Sequence, residues 1–395
     1  MTIRRLFPVI LVCFLSILAV STAPDPDMWW HLRTGERILA HGIPSADPYS
    51  YTVTGAPWLP HEWLSDVVMW VVWRSAGFTG LNLLFASVVV GAFLISYASC
   101  AGRPYVACLV VSLATLVAFF TIGIRPQMFN LLFLATFILV LERYRDAAAH
   151  SALWLLPVLT AVWANVHSGF MLGVAVLLTY AVGETVRRWF EVDDPRGLDA
   201  AGIRRVALTA AACLVAALAN PHGYRIYAYS FETLGARYVA NGWVIEWASP
   251  DMHSVTGWPF IAMLALGALG WAFSPRRASV TDVLLFTGTA AAGLYSARHM
   301  ALFAIAGAPV VCRALVECVD GTEFHAELVG AAPAPIATPL RRAHYWAVAV
   351  GMVVLAVVHG QYNLRLFESA TTGRFPVAAV DFIATHDLAG RRVFN

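Results

Sequence analysis

The sequence contains no lysine, so all 26 of its basic residues are arginines. Charge of either sign is scarce, at 13% of residues, and the formal net charge is only +2. Such a balance offers neither a basic surface for nucleic acid nor a solvating acidic tail, which sets nucleic-acid partners aside. The six cysteines, Cys13, Cys100, Cys108, Cys213, Cys312 and Cys318, sit in or beside apolar stretches. Their spacing matches no metal motif and no disulfide framework, so they read as reduced packing residues. An internal repeat, inverted or parallel, is also missing, and many transporters are built on one.

Apolar residues are what the chain has in excess, at 59% with a mean hydropathy of +0.68. A chain of this kind is solvated mostly by lipid. The pattern predicts an all-α polytopic membrane protein with about eleven transmembrane helices, each needing roughly 20 apolar residues. The firmest runs are Leu6 to Ala23, Phe78 to Cys100 and Pro104 to Gly123. Shorter ones follow at Pro126 to Leu141, Ser151 to Val166, Gly169 to Gly183, Val206 to Ala219, Trp258 to Phe273, Val283 to Ala297, Met300 to Val311 and Ala343 to His359. Arg4-Arg5 and the first run have the form of a signal peptide with small residues at Ser21 and Ala23. Pro24 disfavours cleavage there, and a retained first span is expected.

Glu62 to Arg74 is apolar on most sides but about half the length of a span, and it carries Trp63, Trp70 and Trp73. It reads as an interfacial helix. The arginines test that reading, because cytoplasmic loops are the arginine-rich ones. With the N-terminus inside and Glu62 to Arg74 not crossing, Arg103, Arg143, Arg145, the Arg187 to Arg205 loop, Arg276, Arg277, Arg341 and Arg342 all fall on the cytoplasmic side. The transmembrane domain then covers residues 1–359, and its long first outer loop spans 24–77. Residues 360–395 begin an extracytoplasmic segment, with a helix from Pro376 to about Thr385 and a strand at Arg392 to Phe394. That strand has no visible partner, so the chain is either a piece of a longer protein or poorly ordered at this end.

The first outer loop gathers Asp25, Asp27, His31, Asp47, His61, Glu62 and Asp66 beside Trp29, Trp30 and Trp58. Met28 to Ala40 has the spacing of a helix lying along the bilayer, with Trp30 and Arg37 on one side. Two carboxylates straight after a span suit a general base that deprotonates a hydroxyl beside a lipid-linked substrate. Asp27 is the first candidate and Asp25 the second; the alternative is that both only cap the helix. Arg125 and Arg298 fall in short outer turns, where they could hold a phosphate or simply snorkel from helix ends. His167, His222, His299 and the Glu246, Asp251, His253 group share that side, although Asn220-Pro221 and Ser249-Pro250 are equally good turn formers. A zinc site from His31, His61 and Asp27 would match no metal-motif spacing.

The string DPDMWWHLRTGERILAHGIPSADPYSYT with HEWL, then IRPQMFN, WANVHSGF, NPHG, EWASP and ARHMALFA, is similar to a group of bacterial membrane proteins placed near the GT-C superfamily. The chain thus resembles polyprenyl-phosphate-sugar-dependent glycosyltransferases over most of its length. The resemblance implies a GT-C-like fold and inverting transfer from an undecaprenyl-phosphate sugar to an acceptor hydroxyl outside the bacterial inner membrane. Asp27 or Asp25 would be the base. Asp47 or Glu62 would bind acceptor, sugar or a divalent metal, and His31, His61, Arg125, His167, His222, Arg298 and His299 would complete the substrate site. The later outer loops lack an Asp-x-Asp pair, which puts metal dependence in doubt. Two other classes compete: a polymerase or ligase of lipid-linked glycans, and a transporter or flippase. A transporter would show charges lining a path at mid-membrane, whereas Glu184, Asp282, Arg313 and Glu317 lie near span ends.

Overall fold

The computed structural model describes residues 3–50, 52–100, 103–146, 152–234, 244–319, 322 and 338–386. The predicted strand at 392–394 lies outside them. The described residues form α-helices joined by turns and short 3₁₀ segments, and their only β pairing is a bridge between Ala46 and Pro57.

In chain order the helices are α1 (Ile3–Ala19), α2 (Met28–His41), α3 (Trp63–Ser99), α4 (Pro104–Ala118), α5 (Met128–Arg145), α6 (Leu155–Val166) and α7 (Met171–Trp189). They continue with α8 (Ala200–Ala216), α9 (Arg225–Leu234), α10 (Trp258–Phe273), α11 (Val280–Tyr295), α12 (Met300–Cys318), α13 (Pro339–Arg374) and α14 (Val377–Thr385). Every apolar run picked out in the sequence falls on one of them. Five segments are long and apolar enough to cross a membrane: Trp63–Ser99, Pro104–Thr121, Ser168–Trp189, Ala297–Cys318 and Pro339–Thr371. Ala152–Val166, Trp258–Phe273 and Val280–Tyr295 are shorter apolar helices.

α12 is the centre of the bundle, packed by α4, α10 and α11. Six of its fifteen buried positions are alanine or glycine (Ala301, Ala304, Ala306, Gly307, Ala308, Ala314), which lets neighbouring backbones come close where lipid supplies no hydrophobic driving force. α3 changes direction at Gly77, whose φ of 61° and ψ of −158° only glycine tolerates. The break separates the tryptophan-bearing half, Trp63 to Ala76, from the apolar half, Phe78 to Ser99. That is where the sequence divides an interfacial helix from a span.

α2 lies against α3. A Cβ at Gly35 would collide with the backbone carbonyl of Asp66, so glycine there permits the close approach. One turn earlier on the same face, His31 thereby reaches the Asp66 side chain.

Ion pairs show which helix ends share a face of the bundle. Asp25 after α1, Arg125 between α4 and α5, Glu246 before α10 and Arg298 between α11 and α12 meet at one end. Glu142 and Arg145 closing α5, Glu184 and Arg187 closing α7, Asp194 and Arg196 beyond it, Asp282 opening α11 and Arg313 near the close of α12 meet at the other. Both groupings follow if the successive helices alternate in direction.

Candidate functional site

Glu62, at the N-terminus of α3, is the hub of the first end. It is buried, and its Oε1 lies 3.0 Å from His167 Nε2 and 3.4 Å from His61 Nε2. Its Oε2 is 3.6 Å from His31 Nε2. On the far side of that ring, His31 Nδ1 and Asp66 Oδ1 are 2.6 Å apart, a bond in which the imidazole donates and the carboxylate accepts. Asp66 Oδ2 is buried without a partner. The site is tied down by Trp63 Nε1 donating to Asn165 Oδ1 at 2.8 Å and by the Ser65 hydroxyl donating to the Val166 carbonyl at 2.7 Å. His61 stacks on Tyr229, with ring centroids 4.2 Å apart.

The environment polarises these groups. Burial works against a charged Glu62, but the adjoining His61 and His167 outweigh it and hold the carboxyl well below the usual carboxylate range. Burial pushes His167 down, which favours the neutral ring. For His31 burial opposes the charge, yet the Asp66 hydrogen bond and the nearby Glu62 raise its proton affinity above the ordinary imidazole value. A cationic His31 between two carboxylates is the arrangement this favours.

His61, Glu62 and His167 offer ligand atoms that all lie within 4.8 Å of one another, a spacing that would suit a divalent metal. Hydrogen bonding at His167 runs against one. Its Nδ1 accepts the Gly169 N–H at 2.8 Å, which assigns the ring proton to Nε2, facing Glu62. A metal would need that nitrogen's lone pair, with the proton on Nδ1 instead. The three residues therefore fit a carboxylate held by imidazole donors better than a metal centre. Among the described residues the group with metal-like spacing is His61, Glu62 and His167, which shares only His61 with the zinc set of His31, His61 and Asp27.

The remaining expected residues divide clearly. Asp27 opens α2 without a capping hydrogen bond, and its charge acts on His31. Asp25 is committed: its Oδ2 accepts from Arg125 Nε at 2.6 Å, and its Oδ1 accepts the Asp27 N–H at 3.0 Å. Arg125 also donates to Glu246 Oε2 at 2.6 Å. Arg298 pairs with Glu246 Oε1 at 3.0 Å, and its guanidinium lies 5.0 Å from the ring centre of Trp247. The two arginines, the phosphate candidates of the sequence, are thus joined through Glu246, which bridges them. Backbone and side-chain bonds from Ser296 and Ala297 to the carbonyls of Glu246 and Ala248 fasten the two turns together. Asp47 builds its own turn, its Oδ1 accepting the N–H groups of Tyr49 and Ser50 at 2.7 and 3.1 Å. His222 faces the Pro60 carbonyl across 3.3 Å and joins the NPHG turn to the HEWL segment. His299 packs edge-on to Trp247, with its Nδ1 buried and unpartnered.

Sequence reasoning placed Glu246 and Asp66 on this face but gave neither a role, since only folding reveals their partners. It also left out the network at the opposite end, whose charges are spread from Glu142 to Arg313. No protein-family model matches the chain, and no curated protein shows significant similarity to it.

Proposed function

We propose that this chain is a bacterial inner-membrane glycosyltransferase of eleven spans that moves a sugar from a polyprenyl-phosphate donor to an extracytoplasmic acceptor hydroxyl. In this reading the N-terminus and the Glu142–Arg313 network face the cytosol, as the arginine distribution requires, and the Glu62 end faces outward. The acceptor is a lipid, glycan or protein hydroxyl. One observation carries the proposal: the free carboxylate of Asp27, the imidazole–carboxylate cluster around Glu62 and the paired Arg125 and Arg298 all converge on one end of an apolar helical bundle, against the surface helix α2.

The chemistry assigned to each group follows from its surroundings. Asp27 takes the proton of the acceptor hydroxyl as its oxygen attacks the anomeric carbon from the face opposite the phosphate. The bond from that carbon to the phosphate oxygen breaks, and its electron pair leaves with the phosphate, so the configuration inverts. Arg125 and Arg298 hold the departing phosphate, exchanging the Glu246 carboxylate for it. His61, oriented by Glu62 and partly open to solvent, lies where it can bind the acceptor.

The test is transfer of labelled sugar from a polyprenyl-phosphate donor by the full chain in proteoliposomes. Asp27→Asn is expected to lower the rate by about 100-fold or more, while Asp25→Asn acts more mildly through Arg125. A double variant with wild-type turnover would remove the assigned base. Wild-type protein inert toward every polyprenyl-phosphate sugar would end the reading.

A further inference from the structure

At the end of the bundle opposite Glu62, α1 and α13 enclose an apolar groove of about 540 Å³, lined by Arg5, Val9, Trp346, Val350, Val353 and Val354 among others. Its size lies within the roughly 300–1,000 Å³ of ligand clefts. Among the described residues, Arg5 is the one charged side chain in its wall. Arg342 stands one helical turn before Trp346, on the same face of α13 and at the same end. Both arginines are exposed, and Trp346 sits beside them as tryptophans do at a membrane–water boundary.

We propose that this groove binds one anionic phospholipid, with an acyl chain along the valines and the headgroup phosphate between Arg5 and Arg342. Charge decides the occupant. A second copy of the chain, or another apolar helix, would cover the valines but bring no anion to the two arginines at the boundary. Tight helix pairing also calls for small residues, whereas most of this wall is branched or aromatic. A zwitterionic lipid would fill the slot equally well and gain less from the two cations. The inference rests on the membrane location of the chain and is independent of any transfer reaction.

The full chain, reconstituted in bilayer discs holding phosphatidylglycerol and phosphatidylcholine in equal amounts, is released for native mass spectrometry with its retained lipids. One phosphatidylglycerol should be kept in preference to phosphatidylcholine. Arg5→Gln with Arg342→Gln should cut that preference roughly 25-fold, from about a fivefold contribution per arginine. Arg5→Lys with Arg342→Lys should keep it, which separates charge from folding, and Val350→Trp should expel both lipids. Equal retention of the two lipids, an unchanged preference in the double glutamine variant, or a lipid-free dimer would overturn the proposal.

Discussion

Glu62 shows what a single side chain contributes here. Its carboxylate is buried, yet it receives His167 and His61 on one oxygen and faces His31 with the other. Glu62→Gln keeps the shape but removes the charge that holds the three rings, at a cost of about 2–3 kcal/mol. Because the folded state lowers this carboxyl's proton affinity, its stabilisation is complete above the ordinary glutamate value of about 4.5 and is lost as pH falls through the folded value. Thermal unfolding in detergent should therefore separate wild type from Glu62→Gln most widely at neutral pH, with the gap closing in acid. A gap that stays constant as the pH is taken from 7 to well below 4 would contradict this account of the residue. The carboxylates and histidines of this cluster could be named from the sequence, because they crowd one loop and two turns. Which oxygen meets which ring could not, since His31, Glu62 and His167 are joined only by the packing of α2, α3 and the α6–α7 turn.

Among the elements, α3 was the most legible. Its tryptophan-rich first half and apolar second half differ in composition, and Gly77 supplies the break between them. The network at the other end was illegible for the converse reason. Glu142, Arg145, Glu184, Asp282 and Arg313 each look like an ordinary charge near a helix end, and nothing local reports that four helices bring them together. In the fold Arg145 and Glu184 are wholly buried, and Arg313 bridges Glu142 at 2.7 Å and Asp282 at 2.8 Å. Removing one partner from such a cluster leaves buried charges uncompensated. Arg313→Ala is expected to destabilise by about 3–5 kcal/mol, whereas the exposed Arg277→Ala should fall within about 0.5 kcal/mol. Equal unfolding temperatures for the two variants would show that the network does not clamp α5, α11 and α12.

For the whole molecule, the two clusters define two unlike ends. One end is closed by buried ion pairs joining α5, α7, α11 and α12, and the other carries partly exposed histidines, arginines and an unpaired aspartate. Alternating access would require the first end to open and many buried pairs to part together, which weighs against transport and in favour of a site worked from one side. The order of apolar runs and the sidedness of the arginines were enough to group the polar turns, because each depends on spacing along the chain. The groove between α1 and α13 was hidden, since those helices are the first and the last of the long apolar runs. Everything functional depends on the Glu62 end facing away from the cytosol. The direct measurement is labelling of His253→Cys and Arg277→Cys in intact cells by a membrane-impermeant maleimide, read against the parent protein, in which Cys318 is the one native cysteine not fully buried. The account predicts that His253→Cys reacts in intact cells and Arg277→Cys only after permeabilisation; the reverse order, or labelling of both in intact cells, would contradict it.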